Sequence, residues 1–304
     1  GCYSQAGLDW ARVQSLVEQY GPVPRFVLEQ PLLRGAASLE QDLKELEEAL
    51  GGVDVKQIVK STSKLDQVPE RYHRLLHLEA GPDFSLQQVK FASVHVGERI
   101  ANLLAKHTKQ QLESFLDGLG EKSAWRSVKG VVFEQYCHQV LSAGGTFPVR
   151  ELGQPLLWES ERQPGFSFAR DKTGAWQLTL EKSETRYFSN AASSSSSSND
   201  ERLNAVENRA VQQVASALAE MEWDDSTPSM YLIPSSPIFP GVDAIRLPSM
   251  LFQMTVAGRR DYPGAIIPAL LDVLPEGHQC YLIYCVDDQC KFSVAGLPAG
   301  PLGK

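Results

Sequence analysis

Apolar residues recur at helical spacing through the first 120 or so positions, then shift toward strict alternation. From Leu8 to Tyr20 the pattern predicts one short amphipathic helix, which Gly21-Pro22-Val23-Pro24 stops. Ser38 to Leu50 carries Leu39, Leu43, Leu46 and Leu50 on one face, ahead of Gly51-Gly52. Tyr72 to Glu79 reads as a strand ended by Gly81-Pro82. Phe91-Ala92-Ser93-Val94-His95-Val96 begins a helical stripe that Ile100, Leu103 and Leu104 continue, and Leu112, Phe115, Leu116 and Leu119 extend or follow it. A further helix from Ser123 places Trp125, Val128, Val132, Phe133, Tyr136, Cys137 and Val140 three or four apart and ends at Gly144-Gly145.

Beyond that pair of glycines the period falls to two. Thr146 to Leu152, Gly165 to Ala169 and Ala175 to Leu180 read as strands, with Lys172-Thr173-Gly174 as a turn. Asn190 to Asp200, which includes six consecutive serines, reads as a polar loop. A helix over Ala205 to Met221 follows, then strands at Met230 to Pro234, Val242 to Leu247 and Met250 to Val256. A short helix over Ala265 to Leu274 precedes the apolar run Cys280 to Val286, which suits a buried strand. The change of period predicts a domain boundary near residue 120: a mainly helical module over 1–120 and a mixed-sheet module over 121–304, with the serine-rich loop near 190–200. No segment repeats.

The chain has 304 residues, enough for one large domain or two ordinary ones. A net charge of −8 argues against a protein that binds nucleic acid over its whole surface, and leaves a local basic groove open. Five cysteines at wide spacings make no disulfide framework and point to a reducing compartment. Cys280, Cys285 and Cys290 recur every five residues, a period that alternates faces of a strand and so does not converge three metal ligands. There is no apolar run of membrane-spanning length, no signal peptide at the start, and no Gly-rich phosphate loop.

Four segments, taken in order, resemble the region beyond the NTPase core of Crinkler-type effectors and the related retrotransposon-hot-spot proteins. These are Trp10 with Tyr20-Gly21-Pro22-Val23-Pro24-Arg25-Phe26-Val27-Leu28-Glu29, then Lys129 to His138, then Gly144 to Leu152, and last Phe239-Pro240-Gly241-Val242-Asp243 through Thr255. The resemblance covers most of the chain. It implies an α+β or α/β architecture in which a helical, lid-like module precedes a restriction-endonuclease-like mixed-sheet module. It also implies a longer precursor with an NTPase module, secretion into a host cell, the host nucleus as the site of action, and a virulence role. DNA or a host protein is the implied partner.

Metal-dependent phosphodiester cleavage needs carboxylates to hold Mg²⁺ against the phosphate, an activated water and stabilisation of the developing charge. In the endonuclease pattern Asp243 is the leading metal ligand, and otherwise a strand-edge or turn aspartate. Gln253 follows at the acidic or amide position, as a weaker ligand or as a bridge between strands. Glu134, midway along the Ser123 helix, is either a third ligand or solvent-facing polarity. Two residues after Gln253, on the same strand face, the pattern has a lysine where this chain has Thr255. Lys129 is a candidate for a migrated lysine, and Arg150, Arg246, Arg259 and Arg260 are candidate phosphate contacts. His138 lies four residues after Glu134, as its partner on one helix face or as a buried structural histidine. Arg25 resembles an arginine that senses nucleotide phosphate in an NTPase lid. Three functions remain open: an Mg²⁺-dependent endonuclease, a nuclease-fold scaffold for a host protein, or a structural regulator of an NTPase.

Overall fold

The computed structural model describes residues 10–34, 37–54, 57, 74–83, 85–120, 123–152, 161–163, 165–188, 205–221, 229–235, 239–287 and 291–296. The chain is an N-terminal helical region followed by a mixed β-sheet region, an α+β architecture. It divides into two compact units, Gly1–Tyr136 and Cys137–Lys304. The serine run and Cys290 lie outside the described residues.

The first unit contains α1 (Trp10–Tyr20), a π-helical turn (Arg25–Glu29) that continues into α2 (Gln30–Arg34), and α3 (Ala37–Gly51). A hairpin of β1 (Leu76–Ala80) and β2 (Leu86–Phe91) follows, then α4 (Val94–Leu104) and α5 (Lys109–Leu119). Leu16, Tyr20, Leu46, Leu50, Val96, Ile100, Leu104, Leu112 and Phe115 are buried in one core, so the apolar stripe of each helix faces inward. The helical stripe expected to begin at Phe91 begins later. Phe91 ends β2, and Ser93 caps α4 by accepting from Val96 N at 3.1 Å. β2 carries Gln87, Gln88 and Lys90 and gains its structure from pairing with β1, which the local pattern does not reveal.

Gly21 illustrates how the first unit closes. Its φ is +72°, and a Cβ there would lie 1.8 Å from the carbonyl oxygen of Ala92. Only glycine allows α1 to approach the start of α4 this closely. Beside it, Ser93 Oγ donates to Gln19 O at 2.6 Å.

A 3₁₀ turn (Ser123–Trp125) leads into α6 (Arg126–Ala143), and the division between the units falls within α6. Gly144, at φ +79°, ends that helix. The second unit opens with the strands β3 (Gly145–Val149), β4 (Glu161–Gln163), β5 (Phe166–Arg170) and β6 (Trp176–Leu180), which form an antiparallel sheet in the order β3-β6-β5-β4.

The second sheet holds the candidate chemistry. It runs β12-β10-β9-β8-β7, from β7 (Glu184–Phe188), β8 (Met230–Pro234), β9 (Ala244–Arg246), β10 (Met250–Thr255) and β12 (Tyr281–Val286). β8, β9 and β10 are successive antiparallel neighbours, whereas β7 lies parallel to β8 and β12 parallel to β10. The helix α7 (Ala205–Met221) precedes the three-strand meander, and α8 (Ile266–Val273) connects β10 to β12 as a parallel crossover requires. One sheet face places Leu232, Ile245 and Leu251 against Val214 of α7 and Ile267 and Leu270 of α8. A short parallel pair, β11 (Arg259–Asp261) with β13 (Ser293–Ala295), completes the described elements.

Candidate functional site

The residues expected to carry chemistry divide between the two units. Lys129 and Glu134 belong to the first, on α6, where both are half-buried. Arg25 is exposed on the π-helical turn of the same unit. Asp243, Gln253, Thr255, Arg150, Arg246, Arg259 and Arg260 belong to the second.

Within the second unit, Asp243 lies immediately before β9. Its backbone N donates to Phe252 O at 2.7 Å, and its Oδ2 accepts from the backbone N of Met254. The β9–β10 register pairs Ala244 with Phe252, so one further step brings Asp243 level with Gln253. Sequence order and sheet register therefore agree in making these two residues neighbours at one end of the meander. Gln253 is half-buried, and its Oε1 is sealed from solvent without a hydrogen-bond donor. Such an oxygen is costly to bury, and a site of that kind calls for a ligand, an ion or a water.

Gln253 is level with Tyr284 on the parallel strand β12. The Tyr284 hydroxyl is also buried without a partner, and desolvation pushes its pKa up to about 12, with Tyr262 adding to the rise and Arg260 opposing it. The phenol thus stays protonated, as a donor, across the physiological range. Tyr284 was not expected from the sequence, where it is one residue of the apolar run Cys280 to Val286. Its two-residue spacing from Leu282 was the available clue that it shares a sheet face with the core.

Thr255 ends β10 on the face of Gln253, and its hydroxyl accepts from Ala257 N and from Arg260 Nε, each at 3.0 Å. Arg260 lies on β11, remains exposed, and is level with Val294 of β13. Arg259, also exposed, is level with Ser293. The residue before Ser293 is Phe292, whose carbonyl accepts from Arg150 Nη2 at 2.7 Å and whose ring packs on Tyr284 at 5.2 Å between centroids. Arg150 and the adjacent pair Arg259 and Arg260, from two distant parts of the sequence, thereby gather around the β11–β13 pair, and exposed Lys291 immediately precedes Phe292.

Arg246 has a different place. It is fully buried on β9, with Nη1 donating to Leu141 O and Ser183 Oγ, each at 3.3 Å, and Nη2 donating to Gly165 O at 3.1 Å and to Glu181 O. The guanidinium ties the end of α6 and the β5 and β6 loops to the central sheet, instead of standing at a surface where a phosphate arrives. Burial lowers its pKa to about 10, still far above neutral pH, so it remains charged. His138 is likewise interior: it is 4 % exposed, and Nδ1 lies 3.1 Å from the Tyr231 hydroxyl.

A cation in the second unit has one carboxylate, Asp243, and one unpartnered amide oxygen, Gln253 Oε1, as donors at the end of the meander. Among the described residues, no three His, Cys, Asp or Glu side chains group as a metal site, so phosphate oxygens and waters would have to complete any coordination sphere. No helix among the described residues is long and apolar enough to cross a membrane. No family model matches the chain, and the searches of curated proteins and of solved structures found no match.

Proposed function

We propose that the second unit is a nucleic-acid-binding module on a restriction-endonuclease-like core, and that the chain is the C-terminal part of a Crinkler-type effector. The observation that carries this reading is the gathering of Arg150, Arg259 and Arg260 around β11–β13, joined through Thr255 and Tyr284 to the Asp243–Gln253 end of the meander. Positive charge on one edge of a protein with net charge −8 attracts a phosphodiester backbone locally without making the whole surface sticky. The order helix, three-strand meander, helix, parallel strand supports the endonuclease-like assignment.

Asp243 and Gln253 would hold Mg²⁺ together with the bound phosphate, as that ion usually binds through one or two carboxylates and its ligand's oxygens. Bound there, Mg²⁺ would neutralise phosphate charge. The chain's own residues favour binding over hydrolysis. Thr255 has no charge, and its hydroxyl is already committed to two donors. By the same resemblance the module acts in a host nucleus, within a longer protein that carries an NTPase.

The test pairs two assays. Binding of labelled duplex DNA, single-stranded DNA and RNA is followed across a salt series, and supercoiled plasmid is incubated with Mg²⁺ or Mn²⁺ beside an Asp243→Ala variant. Salt-sensitive binding is the expected result. Nicking that disappears in Asp243→Ala would add cleavage to the function. No binding to any nucleic acid would overturn the proposal and leave a host-protein scaffold or an NTPase regulator.

A further inference from the structure

Thr255 is 3 % exposed, so its hydroxyl must find partners within the fold. One of them, Arg260, is not a core residue. It is an exposed side chain from the next strand, tethered to the end of β10 through Nε. A tether through Nε leaves both terminal nitrogens, the pair that grips a phosphate in bidentate fashion. The backbone on either side is fixed as well. Ser293 N donates to Gly258 O at 3.0 Å, Arg260 is level with Val294, and Tyr262 N donates to Ala295 O at 2.8 Å. The long arginine is therefore ordered before any ligand arrives, which lowers the entropy lost on binding.

Arg259 has no such tether among the described residues, although it is adjacent and equally exposed. The difference singles out Arg260 from the basic cluster. We infer that Arg260 is the principal phosphate-contacting cation of the site and that Thr255 is its positioning residue. The inference rests on the nucleic-acid reading. A hydrogen bond and a second strand supply at this position what a lysine at 255 would supply by its own charge, and the charge arrives with two donors in place of an ammonium. The Tyr284 phenol lies close enough to feel the Arg260 charge, and Tyr284 is level with Gln253, whose Oε1 is buried without a partner on the strand face of Thr255.

The experiment measures fluorescence anisotropy of a labelled DNA duplex with the full chain across a salt series. Arg260→Ala should weaken binding roughly 5- to 10-fold and reduce the slope of log affinity against log salt by about 0.9, the value for one lost phosphate contact. Thr255→Val should weaken binding roughly 3- to 5-fold, as expected for one hydrogen bond, and Thr255→Ser should restore it. In an Arg260→Ala background Thr255→Val should have no further effect, whereas in an Arg259→Ala background its effect should persist. An undiminished Thr255→Val effect without Arg260, or an unchanged affinity and slope in Arg260→Ala, would overturn the inference while wild-type binding keeps the broader reading. A wild-type chain that binds no duplex would overturn both.

Discussion

Replacing Arg246 with methionine separates a structural role from a ligand-binding one. The guanidinium donates to Leu141 O, Gly165 O, Glu181 O and Ser183 Oγ, and it is fully buried. These acceptors do not lose equally. Leu141 O also receives Gly144 N at 3.3 Å, and Gly165 O also receives Glu181 N at 2.9 Å, so each keeps a donor. The Ser183 hydroxyl can still donate to Ser142 O. Glu181 O loses the donor that Arg246 supplies; Glu181 is exposed, so water can replace that donor, and the loss is that of one hydrogen bond from a charged group, about 1.5–3 kcal/mol. Leu141 O and Gly165 O, which keep a donor, and Ser183 Oγ, which keeps an acceptor, add about a few tenths of a kcal/mol each. Against this, methionine no longer requires burial of a charge, a saving that offsets part of the loss. The net expectation is a destabilisation of roughly 1–3 kcal/mol. Arg246→Lys should not rescue it, because one ammonium cannot span carbonyls on both sides of a planar fork. Urea unfolding followed by hydrogen exchange of peptides from each unit reads the effect. Loss of protection should concentrate in β5, β6 and β9, with α4 and α5 unchanged. DNA affinity of the folded fraction should equal wild type. Stability within ~0.5 kcal/mol of wild type, the range of an inconsequential surface change, together with weakened DNA binding would refute the buried-clamp reasoning and return Arg246 to the phosphate-contacting role that its position in the motif first suggested.

Gly21→Ala should destabilise the first unit by about 3 kcal/mol or more, since it combines a positive φ with a Cβ 1.8 Å from Ala92 O; a melt that matches wild type would show that α1 can move away at little cost. Thr108→Ala removes the hydroxyl that accepts from Gln111 N at the start of α5, leaves the backbone N of residue 108 donating to Gln111 Oε1, and should cost about 1 kcal/mol, with Thr108→Ser close to neutral in the same urea titration. Burial raises the Tyr284 pKa from an unfolded value near 10 to about 12, so its contribution is fully present below about pH 10 and declines as pH rises through 12. Tyr284→Phe should therefore flatten part of the alkaline loss of stability and remove a late-titrating component from the tyrosinate absorbance; an unaltered late component would contradict the burial argument.

Much of the element order was legible in the sequence. The helix expected over Ala205 to Met221 spans those residues, and the strands anticipated around Met230, Ala244, Met250 and Tyr281 are present. Each carries an apolar stripe or run that must be buried in one particular backbone geometry, so its type follows from local pattern. The strands that went unread lack that signal. β2 is rich in glutamine and lysine, β7 is exposed at Glu184, Thr185, Arg186 and Tyr187, and β11 consists of Arg259, Arg260 and Asp261. Such segments are strands because a neighbour offers hydrogen bonds, and the neighbour is often far away in sequence.

The candidate site follows the same division. The spacing of Asp243, Gln253 and Thr255 is a property of the chain order alone, and a two-residue period is enough to put the last two on one face of a strand. Only the tertiary structure separated the arginines. Arg246 and Arg260 are both basic residues beside a strand, yet one is enclosed by carbonyls contributed from residues 141 to 181 and the other is held at the surface by a threonine hydroxyl. Whether a charge meets solvent, a phosphate or the protein's own backbone depends on which distant segments pack around it, and no local pattern encodes that.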